Sequence, residues 1–208
     1  MRFRNHLLKP IIQNNPISVQ ILGLCSALAV TQSLLPALVM SIAVICVLAF
    51  SNVVISLLRH IMPSSIRLIL EMTIIASAVI VVDEVIKTFA PEMSQILSVF
   101  VALIVTNCII LGRAESFASI HGPLASLLDG IGNGIGYSLL LIFVATVREI
   151  FGRGTLLGEV VLLPLSSGGW YLENKFMALP ASAFFILGIC TWIIKSYLNK
   201  TKINQRQD

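Results

Sequence analysis

ISVQILGLCSALAVTQSLLPALVMSIAVICVLAFSNVVISLL, residues 17–58, is a nearly unbroken apolar run of 42 residues. As a single helix at 1.5 Å per residue it would extend roughly 63 Å, twice the ~30 Å hydrocarbon core of a bilayer. It therefore reads as two membrane passes with almost no loop, the first over Ile17–Leu35 and the second over Ala37–Leu58. The reversal is expected near Ser33-Leu34-Leu35-Pro36, because proline is tolerated at a helix start and breaks a helix interior. Two passes joined so tightly also imply that one of them is short or broken.

The rest of the chain has the same character. Of its 208 residues 57% are hydrophobic and 12% are charged, where a soluble domain would carry about a quarter charged residues. This composition points to a polytopic helical membrane protein in contact with membrane lipids. A transmembrane barrel would need short alternating segments, and none is visible. Nothing in the charge pattern points to nucleic acid. Arg2, Arg4 and Lys9 resemble the basic start of a secretory signal, but Gln13, Asn14, Asn15 and Pro16 delay the apolar run, so no cleaved signal is expected. The four cysteines all lie in apolar segments, which argues against disulfide stapling.

Four more spans follow. The third covers Ile66–Val82, begins after Pro63-Ser64-Ser65, carries Arg67 and Glu71 as an i,i+4 pair, and ends at Asp83-Glu84. The fourth, Ile96–Leu111, has 16 residues and reaches only about 24 Å. The fifth runs over about Leu124–Val147 and the sixth over Ala178–Ile194. With both termini in the cytoplasm, ten basic residues fall inside (Arg2, Arg4, Lys9, Arg59, Arg67, Arg113, Lys195, Lys200, Lys202, Arg206) and four outside (Lys87, Arg148, Arg153, Lys175). The expected fold is an all-α integral membrane protein in one domain, residues 1–208. Its six transmembrane helices form a 3+3 inverted repeat, with halves of about 1–90 and 91–208. The first helix of each half is interrupted, the pattern by which inverted repeats build a site at the bilayer midplane.

Each interrupted helix carries one cysteine. Cys25 lies beside Gly23 and Ser26, and Cys108 beside Thr106, Asn107 and nearby Gly112. A cysteine in a membrane helix is ordinarily a small packing residue, and Cys46 and Cys190 fit that description. Cys25 and Cys108 stand apart because matching positions in the two halves pair them among helix-loosening residues. An iron–sulfur cluster takes thiolates, normally four. Two do not complete one, so either Cys46 and Cys190 join them or a partner chain supplies the rest. Zinc fits less well, because His6, His60 and His121 lie at the membrane edges. One tension stands: Cys25 is ninth of 19 in its span and Cys108 thirteenth of 16. They share a depth only if the fourth helix runs past Leu111 or breaks around Cys108.

The acids at the membrane have two readings each. Asp83, at the outer end of the third span, and Asp129, at the cytoplasmic start of the fifth, are either interfacial caps or the two mouths of an ion path. Glu71 is expected to pair with Arg67, and Arg113 with Glu115 at the interface. Gly130, Gly132, Gly134 and Gly136 follow no strand, so they are expected to pack against a neighbouring helix rather than hold a nucleotide. Pro164–Tyr171 reads as an exterior loop, with Trp170 and Tyr171 at the interface. There is no nucleophile–His–acid pattern and no flavin or nicotinamide fold.

These motifs together carry a resemblance. Gly23-Leu24-Cys25-Ser26-Ala27-Leu28-Ala29-Val30-Thr31, Thr106-Asn107-Cys108, Gly112-Arg113-Ala114-Glu115, Asp129-Gly130-Ile131-Gly132-Asn133-Gly134 and Arg148-Glu149 resemble the D-subunit family of the sodium-pumping NADH:quinone reductase. The same motifs occur in the E subunit of the Rnf complex, which moves electrons between ferredoxin and NAD. Leu163-Pro164-Leu165 through Gly168-Gly169-Trp170-Tyr171 is similar to the quinone-reductase version. The resemblance implies an intramembrane iron–sulfur centre of the 2Fe–2S type, shared with a sister subunit, E, to which this chain gives Cys25 and Cys108. It also implies a complex with subunits A, B, C and F in a bacterial inner membrane. That complex passes electrons between flavins on the two sides, reduces ubiquinone and exports sodium, while this chain binds no flavin or nicotinamide and is not catalytic alone. A small inverted-repeat transporter is the reading from a different class.

Overall fold

The computed structural model describes residues 22–63, 65–89, 102–156, 159–160, 177 and 179–204. The beginning of the first span, residues 96–101 of the fourth, the exterior loop Pro164–Tyr171 and the basic residues Arg2, Arg4, Lys9, Lys175 and Arg206 lie outside them. The helices are α1 (Leu24–Val30), α2 (Leu34–Leu58), α3 (Arg67–Phe89), α4 (Cys108–Arg113), α5 (Pro123–Arg153) and α6 (Pro180–Asn204). A π-helical turn, Ala114–Ala118, continues α4. The departure from an all-helical chain is small: Thr155–Leu156 (β1) pairs antiparallel with Glu159–Val160 (β2) just beyond α5. Segments of α2, α5 and α6 (Leu34–Leu58, Pro123–Gly152 and Pro180–Tyr197) are long and apolar enough to cross a membrane. The 23 residues of α3 include Arg67, Glu71, Asp83, Glu84 and Lys87.

The tight reversal lies where proline places it. α1 ends at Val30, Ser33 is extended at φ −143° and ψ 149°, and α2 begins at Leu34. Pro36 is the third residue of α2, in the first turn, where backbone N–H groups have no partner within the helix. α1 has 7 residues, and the part of the first span before Leu22 lies outside the described residues. The fourth helix is broken as well: residues 102–105 are helical, Thr106 turns, Asn107 is extended and helix resumes at Cys108.

α2 and α5 make the principal helix pair. Their close approach comes from the glycine row. A Cβ on Gly130 would lie 3.1 Å from the Leu48 carbonyl oxygen and 3.2 Å from Ala49 Cα, and one on Gly134 3.0 Å from Ile45 Cγ1. Small residues let two backbones approach where lipid offers no hydrophobic drive for association. Around this pair Val44, Val47, Leu48, Ile75, Val79, Ile104, Ile109, Tyr137, Leu141 and Val144 form one buried core. α6 packs on α1 and α5 while Phe184, Phe185, Ile189 and Trp192 remain exposed, a surface suited to lipid.

Candidate functional site

The two cysteine stretches meet. The Gly23 backbone N–H donates to Cys108 Sγ at 2.8 Å, across 85 residues of sequence. Gly23 reaches this pose at φ +84°, in the left-handed region that favours glycine. A Cβ there would lie 2.8 Å from Tyr137 Cε2, so the turn needs glycine for space as well as for φ. Asn107, at the helix break, accepts from Ile109 N–H through Oδ1 at 3.3 Å and so caps α4. Its Nδ2 donates to Ser26 Oγ at 3.1 Å. Ser26 Oγ in turn lies 2.7 Å from the Tyr137 hydroxyl and 3.2 Å from the Gly23 carbonyl. One proton assignment satisfies every atom: Ser26 donates to Gly23 and accepts from Asn107 and Tyr137. Ser26, Asn107 and Tyr137 are all buried.

Tyr137 is the fifteenth of the 31 residues of α5, and its hydroxyl joins the Ser26–Asn107 network that links the two cysteine stretches. The two cysteine stretches thus meet beside the middle of α5. The fourth helix breaks at Asn107, and α4 continues past Leu111 to Arg113. Cys25 is exposed and Cys108 half-buried, so the site opens to the surface of this chain. Cys46 lines an apolar groove with Val47, Phe50, Ala78 and Val82, and Cys190 packs at the edge of the core. Among the described residues no three or more Cys, His, Asp or Glu side chains gather in one place.

Three basic residues, Arg113, Arg67 and Lys87, pair with five of the acids. Asp129, 3% exposed, receives a two-pronged grip from Arg113: Nε donates to Oδ2 at 2.9 Å and Nη2 to Oδ1. The expectation that Arg113 pairs with Glu115 is corrected here. The α4–π junction turns Arg113 toward α5, and Glu115 instead stands 3.6 Å from Arg67. Glu71 and Arg67 are paired as expected, at 3.6 Å. Asp83 pairs with Lys87 at 2.6 Å, and Glu84 shares that ammonium at 3.1 Å.

Comparison with known proteins places this geometry in a family. The family model described as Rnf-Nqr subunit, membrane protein, matches residues 3–191. Proteins named as the D subunit of Na(+)-translocating NADH-quinone reductase in Shewanella sp. (strain W3-18-1) and Shewanella putrefaciens (strain CN-32 / ATCC BAA-453) are each 56% identical over 188 residues, 90% of either chain. The Shewanella baltica (strain OS155 / ATCC BAA-1091) protein of the same name is 54% identical over the same share. The chain belongs to the Rnf-Nqr membrane subunit family.

In this Rnf-Nqr chain the residues that sequence reasoning left without a structural role are Arg148 and Glu149. Both are buried, near the end of α5. Arg148 Nη1 donates to Thr31 Oγ1 at 2.6 Å and to the Leu28 carbonyl at 3.4 Å, at the C-terminal end of α1. Its Nη2 donates to the Leu179 carbonyl at 3.0 Å, just before α6. Glu149 Oε2 accepts the Leu34 N–H at 2.6 Å, at the N-terminus of α2. A cation thus meets the carbonyl end of one helix and a carboxylate meets the amide end of the next, each matched to the local helix dipole. The available signal was two adjacent opposite charges closing a long apolar helix.

Proposed function

We infer that the chain is the D-type membrane subunit of a sodium-translocating NADH:quinone reductase, and that it contributes two of the ligands of an intramembrane iron–sulfur centre. The observation that carries this is the Gly23 N–H held on Cys108 Sγ at 2.8 Å, which joins the two cysteine motifs midway along α5. The donor set fits such a centre: two free thiols, one of them exposed, and a backbone N–H already aimed at the sulfur of the other. Cys25 and Cys108 would hold the cluster, which when bound supplies a one-electron relay. The chain's own part is to order those sulfurs away from water and to hydrogen-bond one of them, both levers on cluster potential. The exposed Cys25 favours completion of the site by a sister subunit over recruitment of Cys46 and Cys190.

The relatives' names favour the quinone reductase over the Rnf complex. With the whole complex as the enzyme, this chain carries electrons between its partner subunits in a bacterial inner membrane, both termini in the cytoplasm, and the coupled step exports sodium. The helix start after Gly23 and the break at Asn107, each beside a cysteine, support the 3+3 inverted repeat with halves of about 1–90 and 91–208. Asp129 and Asp83 are proposed as the inner and outer ends of the ion path. Replacing Cys25 or Cys108 by Ala removes iron from the purified complex and stops quinone reduction. Cys46→Ala and Cys190→Ala leave both intact, and iron loss there would falsify the ligand assignment. Asp129→Ala and Asp83→Ala alter the sodium dependence of turnover; unchanged sodium kinetics in both returns them to structural pairs.

A further inference from the structure

Glu71 differs from the other buried acids of this chain. It is fully buried (0% exposed), and neither carboxylate oxygen meets a hydrogen-bond donor among the described residues. Asp129 has both oxygens bound by Arg113, and Glu149 accepts a backbone N–H. The cation facing Glu71 is Arg67, whose Nε stands 3.6 Å from Oε1, beyond hydrogen-bond range. The same guanidinium faces Glu115 Oε1 through Nη2, also at 3.6 Å. One guanidinium therefore serves two carboxylates. Glu115 sits on the π-helical turn, two residues after Arg113, which is committed to Asp129. Arg59, the other arginine at this end, donates to the Ile120 carbonyl and to His60 instead. Two guanidiniums against Glu71, Glu115 and Asp129 leave this array one negative charge in excess, and the acid removed from water is Glu71.

Other buried oxygens without partners flank Asp129. Ser126 and Asn133 lie one turn before and one turn after Asp129 on α5. Ser126 Oγ and the Oδ1 atoms of Asn133 and Asn52 are buried without a hydrogen-bond partner among the described residues. Asn133 Nδ2 donates to the Asp129 carbonyl, and Asn52 Nδ2 to that of Ser126. These bare oxygens lie around Asp129, between α2 and α5. Desolvated carboxylate and carbonyl oxygens with an excess negative charge are stabilised by a hard cation, and a buried acid that only shares a cation is costly without one. π-helical turns in helices frequently mark functional sites.

We propose that Glu71 is a binding site for a monovalent metal cation, sodium in this complex, with Glu115 at its mouth and Arg67 as the competing internal cation. The site lies at the membrane edge that holds Arg59 and Arg67, the side that we place in the cytoplasm, where an exported ion is taken up. This rests on the reading of the complex as a sodium pump.

The test is NADH-driven turnover and sodium uptake by the purified complex in proteoliposomes, titrated with sodium chloride. Glu71→Gln raises the sodium concentration for half-maximal turnover tenfold or more, and Glu71→Asp raises it less. Arg67→Gln lowers it, because the competing cation is gone. Such opposite shifts are foreign to an ion pair that serves only stability. Unchanged half-saturation in Glu71→Gln overturns the proposal, as does a shift of the same sign in both variants. If Glu71→Gln fails to assemble, unshifted values in Glu71→Asp and Arg67→Gln overturn it. A wild-type complex indifferent to sodium sinks the pump reading itself, and the iron content of each preparation reports separately on the cysteines.

Discussion

Gly23 leaves no room for a side chain beside the Tyr137 ring: a Cβ on Gly23 would lie 2.8 Å from Tyr137 Cε2. This close fit, with the +84° φ of Gly23, fixes the turn that aims an N–H at Cys108. Gly23→Ala introduces both a steric overlap and a backbone conformation that costs about 1–3 kcal/mol for a residue with a side chain. The expected outcome is loss of iron from the assembled complex, read by iron analysis and the visible spectrum. Full iron content in that variant would show that the turn is dispensable.

Tyr137→Phe removes one hydroxyl from the Ser26–Asn107 network and keeps the ring. Iron is retained, because neither thiol is touched. The midpoint potential of the centre falls, because the Gly23 turn loosens and a hydrogen bond to sulfur stabilises the reduced, more negative state. A redox titration followed by electron paramagnetic resonance measures the shift, and an unmoved potential rejects the coupling.

The Arg113–Asp129 pair predicts non-additivity. Asp129→Leu leaves the largely buried Arg113 without its carboxylate, and breaking a buried pair from one side costs about 3–5 kcal/mol. Replacing both partners, Arg113→Met with Asp129→Leu, restores most of that stability. Thermal unfolding of the four complexes in the cycle gives the coupling, and additive losses would mean that the pair is energetically loose.

Glu149→Ala removes the acceptor at the N-terminus of α2 and leaves a buried N–H unpaired, a loss of about 1–3 kcal/mol. Glu149→Gln keeps an acceptor and loses only the charge at the helix end, about 0.3–2 kcal/mol. The ordering Ala below Gln below wild type in detergent thermal stability is the expected result; equal losses would assign the effect to charge alone.

At Gly130 a side chain meets the Leu48 carbonyl and Ala49 Cα. Both are backbone atoms of α2 and cannot rotate aside. Gly130→Val therefore separates the main helix pair, and overpacking of this kind costs about 1–3 kcal/mol or more. Reduced accumulation of the complex in membranes reads it, and Gly188→Ala, inside α6 at a position open to space, is the neutral control.

Much of the arrangement was legible in the residues. The apolar run over 17–58 with Pro36 located the reversal, and the glycine row from Gly130 marked the face of α5 that α2 covers. Such features are local, set by backbone sterics and by the length of a helix that crosses a bilayer. Cys25 and Cys108 were selected by their neighbours, and the same neighbours, Gly23, Ser26 and Asn107, make the contacts that bring them together. The partner of Arg113 was not legible. Glu115 is nearer in sequence, but a π-helical turn begins between them and rotates their side chains apart.

The sequence by itself determined that this chain lives in a membrane, where its helices break, and which cysteines are set apart, because hydropathy, proline and glycine act over a few residues. The tertiary structure alone decided what each charge and each sulfur meets. Residues 85 and 115 positions apart touch at Cys108–Gly23 and Leu34–Glu149, and long-range pairings in lipid follow from how the helices pack, which no local pattern records.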